Sequence, residues 1–365
     1  MLKNIDKKYI YIGITVLVLP LILILFLIIL RGCSSSKSSY SIYEDMMINA
    51  AQNYFKKKVI LPTNEGEVVS VNLDDLVASS DLKSPGEALK DNSCFGSISV
   101  RNNGVSYEKN NGGFYNYTVD LQCDNYKTVH LIDKIKEDIV TEKSGLYQVG
   151  NSFVFKGAKV KNYISFFDKD YLIVSVDENN ILKLVKITSE KDRFNWDDKY
   201  NVEKKQIAGV NDYSDSSIID SMILKYDKMK DNQKQHLIGY SVCYGNRSIL
   251  YTNVDNVNEC SKRLDNQFVS LLNSYDYASA SYDNNCNTFT SQSCRNYNYL
   301  YDNLDTTWLM NGTLDNSYEV YYYQQGYVDL SRANNSKKVN LVIYIDGNEL
   351  YTKGDGSKEN PYVIK

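Results

Sequence analysis

The segment KKVNLVIYIDGNELYTKGDGSKENPYVIK, residues 337–365, decides the fold class. Val339, Leu341, Ile343 and Ile345 alternate with Asn340, Val342 and Tyr344, the period-2 pattern of a strand. Asp346-Gly347-Asn348 and Gly354-Asp355-Gly356 carry turn signals. A chain that ends this way is expected to tie its C-terminus into a core.

Working outward, the 365 residues leave room for two domains and an anchor. A net charge of −4 gives no general attraction to nucleic acid or to an anionic membrane surface. Tyr is abundant, with 32 residues, while Pro has four and His two. Tyr suits half-buried strands, because it joins an apolar ring to a polar tip. Codon bias in an AT-rich genome would raise Tyr, Asn, Lys and Ile in the same way.

From Tyr9 to Leu30 no residue is charged. This run is long enough to cross a bilayer core of about 30 Å as a helix, with Pro20 at mid-span. Lys3, Lys7 and Lys8 precede it and Arg31 follows. The positive-inside rule then leans towards a cytoplasmic stub at 1–8 and everything after the span outside. A cleaved signal peptide would have a shorter apolar region ending in small residues. A lipoprotein signal is a further alternative, since Cys33 follows Gly32, but Arg31 stands where a small uncharged residue is needed.

Seven cysteines occur. Cys33 stands alone, and the others fall into near neighbours: Cys94 and Cys123, Cys243 and Cys260, Cys286 and Cys294. Sequence leaves the connectivity open, but an outside location favours three local disulfides. Zinc-type binding lacks its signature, with no C-x-x-C and no cysteine at ligand spacing from His130 or His236. Reduced, buried thiols are the remaining alternative.

A Ser/Lys linker closes the segment 31–41. SIYEDMMINAAQNYFKKK reads as a helix with a stripe of Ile42, Met46, Ala50 and Tyr54. VNLDDLVASSDL reads as a short helix, with Asn72 as its cap and Asp74 and Asp75 in its first turn. SCFGSISV and GFYNYTVDLQC alternate as two strands that Cys94 and Cys123 could cross-link. This set, running from the anchor through Leu61-Pro62, LDDLVASSDLK and YTVDLQCDNYKT, resembles the pilin-like, pseudopilin-type surface proteins of Gram-positive bacteria. The resemblance implies a small α+β module at 42–130.

Residues 131–144 read as a linker or short helix. Three or four strands follow from Phe153 to Ile187, with a tight turn at Asp177–Asn180. SSIIDSMILKYDKM is expected to be helical, with Ile218, Met222, Ile223 and Tyr226 on one face. SKRLDNQFVSLLNSYDY is also expected to be helical, with Leu264, Phe268, Leu271, Leu272 and Tyr275 on one face. YEVYYY and VNLVIYID return to strand. In order, FVFKG, NYISFFDKDYLIVSVDENNILKLVKI, WDDKYN, GVNDYSDSSI, FVSLLNSYDYASAS, NYLYDNLDTTWLMNG and the closing segment resemble a bacterial C-type-lectin-like domain, akin to non-catalytic relatives of formylglycine-generating enzymes. The resemblance implies an α+β domain at 145–365 whose terminal strand pairs back near its beginning.

No catalytic residues are expected. Neither histidine lies in a nucleophile motif, and no phosphate-cradling glycine motif is present. Cys286 and Cys294 could serve as the copper-binding thiols of a formylglycine-type oxidase, but their polar loop fits a structural disulfide better. Asp197 and Asp198 read as turn residues. Asp302, Asp305, Asp315 and Asn316, like Asp346, Glu349, Asp355 and Glu359, read as solvated loops with no calcium spacing. No metal or cofactor is expected. Trp308, Tyr318, Tyr321, Tyr323 and Tyr327, with Tyr322 among them, could form an aromatic ligand surface. The sequence therefore leads to a single-pass membrane protein with its C-terminus extracellular, binding or displaying for an extracellular glycan or protein ligand. A minor pseudopilin in a pilus-like assembly is the alternative reading, and a formylglycine-type oxidase the second.

Overall fold

The computed structural model describes residues 38–58, 60–104, 114–249 and 256–365. The expected stub and span at 1–30, and Cys33, lie outside the described residues. Among the described residues, no helix is long and apolar enough to cross a membrane. The fold is α+β, built on two hydrophobic cores.

The first core lies between one helix and one sheet. Helix α1 (Ser39–Lys58) packs on an antiparallel sheet in the order β1 (Val68–Asn72), β2 (Phe95–Asn102), β3 (Tyr115–Cys123) and β4 (Tyr126–Lys127). The buried face of α1 is Tyr43, Met47, Ala50, Ala51 and Phe55, so the expected stripe is displaced by one residue and Ile42 is exposed. Two adjacent stripes share the four-residue spacing, and periodicity alone does not choose between them. Glu44 makes the choice visible. It is buried and accepts hydrogen bonds from the Tyr126 hydroxyl at 2.8 Å and the Thr128 hydroxyl at 2.7 Å. Short helices α2 (Leu73–Ala78) and α3 (Pro85–Ala88) follow β1. Asn72 stands at the N-cap of α2, but its side chain makes no cap bond. Cys94 and Cys123 are bonded across the β2–β3 pair.

The segment read as a linker or short helix opens with helix α4 (Leu131–Lys136). Leu131, Ile132 and Ile135 enter the second core. Strands β5 (Gly145–Val149), β6 (Ser152–Lys156), β7 (Tyr163–Phe166), β8 (Lys169–Val176) and β9 (Ile181–Lys186) follow. The β8–β9 turn closes through the Asp177 amide on the Ile181 carbonyl. Two-residue ladders β10 (Phe194–Asn195), β11 (Tyr200–Asn201) and β12 (Gln206–Ile207) lead to helices α5 (Ser217–Asp227) and α6 (Asp231–Lys234). Helix α5 buries Ile218, Met222 and Tyr226 as expected.

The helix expected over 261–277 is not there. Its place is taken by β14 (Arg263–Gln267), which pairs with β13 (Tyr240–Cys243), then β15 (Val269–Ser270), and last helix α7 (Ser274–Ser279). Asn266 adopts φ +57, which no α-helix accommodates. Phe268 to Leu272 are buried without a break, the mark of a strand covered on both faces rather than of an amphipathic helix. The Cys243–Cys260 disulfide leads into β14.

Strands β16 (Thr307–Gly312), β17 (Glu319–Gln324) and β18 (Tyr327–Arg332) form a meander, and β19 (Ser336–Lys337) pairs with β10. The chain then returns to the large sheet as β20 (Val342–Asp346), β21 (Tyr351–Lys353) and β22 (Tyr362–Ile364). The sheet runs β15-β20-β9-β8-β7-β22-β21, with β6 on β8 and β5 on β6. Every residue of β20 is buried. The last strand, β22, lies parallel beside β7 near the start of this unit.

One buried ion pair sits deep in the second unit. Arg247 and Glu259 are both fully buried, with Arg247 Nη1 at 2.7 and 3.0 Å from the two carboxylate oxygens. Burial pushes the Glu259 carboxyl up, and the guanidinium opposes that shift. Ser274 donates to the same carboxylate, and the Phe289 ring lies 4.8 Å from the guanidinium.

The two units meet through the returning C-terminal segment. The Leu131 and Ile132 amides donate to the Glu349 and Gly347 carbonyls, and Leu350 enters the first core. Asn116 donates to the Glu349 carboxylate at 2.8 Å, and His236 Nδ1 lies 2.8 Å from it. Lys365 pairs with Asp45 on α1 at 2.7 Å in the same junction. Burial alone would depress the His236 pKa, but the Glu349 carboxylate outweighs it and holds the imidazole above 6.5.

Glu259→Gln should cost about 3–5 kcal/mol in denaturant unfolding, because it leaves a buried guanidinium without its counter-charge. The raised His236 pKa gives the junction stability that is complete below the unfolded value near 6.5 and lost as pH rises through the folded value. The unfolding midpoint should therefore fall as pH rises from about 6.5, and His236→Gln should flatten that slope.

Candidate functional site

Exposed aromatic rings are present, but mostly not the expected ones. Period-2 alternation along β17 turns Tyr321 and Tyr323 inward, and both are fully buried. Their hydroxyls donate to the carbonyls of Arg247 and Tyr301. Trp308 is 1% exposed on β16, a strand buried at every position, and donates to the Phe194 carbonyl. These three expected ligand residues are core side chains. Tyr318 is half-buried beneath Lys204, whose ammonium stands 4.0 Å from the ring. Only Tyr327 of the five is exposed.

Tyr327 belongs to a different group of rings. Tyr297 is 65% exposed, Tyr282 and Tyr301 39%, and Tyr327 37%. Arg295 Nη1 donates to the Tyr327 hydroxyl at 3.2 Å, with its guanidinium 5.9 Å from the ring. Tyr282 lies 5.9 Å from Tyr147, which carries the Lys156 ammonium 5.5 Å from its ring. Burial and then Tyr282 push the Tyr147 hydroxyl up to about 12, so it remains a donor.

Local structure explains why these rings point out. The Cys286–Cys294 disulfide closes the loop, with Cys294 fully buried. Asn298 is buried and donates to the Tyr277 and Cys294 carbonyls at 2.8 and 2.7 Å. The Tyr282 amide donates to the Tyr297 carbonyl, and Ser281 Oγ to the Asn296 carbonyl. Hydrogen bonds from the Asn296 side chain and the Asn285 amide hold the Asp283 carboxyl below its ordinary range. These contacts fix Tyr297 at φ +47, a left-handed conformation that costs a bulky residue about 1–3 kcal/mol. Gly326 completes the surface. At φ +87 it brings the β17–β18 turn so close that a Cβ would lie 2.8 Å from the Tyr301 ring. The result is a ridge of exposed tyrosines beside a cross-linked loop, with the Arg295 guanidinium against Tyr327.

The residues weighed for chemistry are spoken for in structural ways. Cys286 and Cys294 are bonded to each other. Buried Asp197 accepts from the Val210 and Ser217 amides and so caps the start of α5, while Asp346 is buried 3.6 Å from Arg101. Asp315 accepts from Ser248 and Thr313 hydroxyls and the Ile249 amide, which hold it below its ordinary range. Among the described residues, Asp91, Cys94 and Cys123 bring ligand-type atoms together, but the two sulfurs form a disulfide. Sequence reasoning missed Tyr147, Tyr282, Tyr297, Tyr301 and Arg295. The signal available was a polar loop between near cysteines, flanked by Tyr282 and by YNYLY at 297–301. No protein family, curated protein or solved structure matches this chain.

Tyr297→Asn should raise the unfolding free energy by about 1 kcal/mol, since Asn accepts the left-handed geometry that strains Tyr. A fall in stability on chemical denaturation would show that the ring is packing rather than presented.

Proposed function

We propose that this protein is a single-pass membrane-anchored binding protein that displays its folded block outside the cell and performs no chemistry. The observation that carries the reading is a set of four exposed tyrosines, Tyr282, Tyr297, Tyr301 and Tyr327, flanking the loop that the Cys286–Cys294 disulfide closes, with Arg295 donating to the Tyr327 hydroxyl. Tyr and Arg on a preorganised surface give large contact area at low entropic cost. A strained, solvent-facing Tyr297 supports a role in contact, because folding alone gains nothing from it.

Two further features favour the extracellular side. The uncharged run Tyr9–Leu30 is long enough to act as an anchor. Three disulfides are characteristic of oxidising compartments. Helix α1 on its four-stranded sheet fits a pilin-like module near the membrane. The second unit, with its last strand returned beside β7, fits a lectin-like carrier of the ridge.

Expressed in intact cells, the block should be shaved by external protease, and its six paired cysteines should resist an impermeant maleimide until reduced. Cells displaying the chain should adhere to a mucin-coated surface, and the pair Tyr282→Ser with Tyr297→Ser should reduce adhesion at least tenfold. A protease-protected chain with reactive thiols would contradict the location. Unchanged adhesion would contradict the role of the ridge.

A further inference from the structure

The β11–β12 hairpin turns an apolar face to solvent. Tyr200 and Ile207 are cross-strand partners, 59% and 65% exposed. Val202, beside them on the turn, is 81% exposed, more than any other large apolar side chain among the described residues. Single exposed hydrophobics are ordinary, but three within one short hairpin form a patch.

The hairpin is fastened to the body. Asn201, between Tyr200 and Val202, faces the other way and is buried. Its Nδ2 donates to the Gly209 carbonyl at 2.8 Å and the Ser317 carbonyl at 3.2 Å, and its Oδ1 accepts the Lys204 amide at 3.0 Å. Glu203 accepts from the Ser317 amide at 3.0 Å and hydroxyl at 2.7 Å, and Asn334 donates to the Ile207 carbonyl. The alternation therefore puts a polar side chain in the body and its apolar neighbours in water. A surface hairpin that served folding alone would have the reverse.

Charge gives the patch no partner. Lys199, Lys204 and Lys205 stand beside Asp198, Glu203 and Asp215, which leaves nothing in excess for an ionic ligand. Three side chains on a protruding tip also fall short of the roughly 800 Å² per partner that a stable protein interface buries. A lipid surface needs no matching shape. It takes Val and Ile among its acyl chains and seats Tyr and Lys at its headgroups. Residues 31–38 join the fold to Tyr9–Leu30 by at most about 29 Å of extended chain, so the fold is held next to lipid. We propose that the hairpin is a second membrane contact, whose tip enters the surface of the bilayer beside the anchor. The inference rests on the reading of Tyr9–Leu30 as an anchor and makes no use of the tyrosine ridge.

The test uses the full chain reconstituted in phosphatidylcholine vesicles, with and without brominated acyl chains. Trp196 and Trp308 are core residues, so the wild-type emission supplies the background. The added emission of Val202→Trp should be shifted to the blue, and brominated lipid should quench it at least twofold. Ile207→Trp should report the same from the other strand. Leu224→Trp, at an exposed position of α5, should stay unshifted and unquenched. Adding Ile207→Asp to Val202→Trp should remove the quenching, with circular dichroism confirming the fold of each variant. A carbonate wash reports on the anchor separately. Retention in the vesicles with neither hairpin probe quenched would overturn the inference and leave the anchor standing. Release by carbonate with both probes quenched before the wash would support lipid contact by the hairpin and remove the anchor. Release with no quenching would overturn both. A blue shift that grows with the protein-to-lipid ratio, without quenching, would assign the tip to a second copy of this chain and overturn the inference as well.

Discussion

Everything in the second unit is arranged around strand β20. It arrives after more than three hundred residues and takes the place between β15 and β9, with all five residues buried. Without it, β15 loses its partner in the sheet and β9 becomes an edge, with its backbone groups open to any other strand. The same returning segment then places Glu349 and Leu350 against the first unit and ends with Lys365 on Asp45 of α1. One late strand therefore orders the sheet, and the turn after it joins the two cores.

That dependence explains which parts of the fold were legible in sequence. The closing segment is an alternating strand flanked by Asp-Gly turns, and such local chemistry survives in any context. The same holds for the Asp177–Asn180 turn, for α5 and for the β2–β3 pair. The three near-neighbour cysteine pairs are the three disulfides. The failures fall where tertiary contacts outvote local pattern. Residues 261–277 have helix-like spacing, yet Asn266 turns left-handed and Phe268–Leu272 are covered on both sides. On α1 the spacing gave the helix and missed its face by one residue, because Glu44 needed to reach Tyr126 and Thr128 far along the chain.

The candidate site was less legible for a related reason. Aromatic density pointed to Trp308 and the β17 tyrosines, but large rings in a tyrosine-rich chain fill the core first. Exposure is decided by the loop that carries the ring. Of the five expected residues only Tyr327 satisfied both criteria. Tyr297 became visible through its backbone conformation, which no composition or periodicity encodes.

Native-state hydrogen exchange tests the central claim most directly, that the returning segment makes the two cores one cooperative unit. The amides of β20, from Val342 to Asp346, and those in the buried half of α1, from Met47 to Phe55, should exchange with the same free energy, equal to that of global unfolding. A markedly lower free energy for the α1 amides, with β20 still fully protected, would mean that the first unit opens alone and would contradict the account.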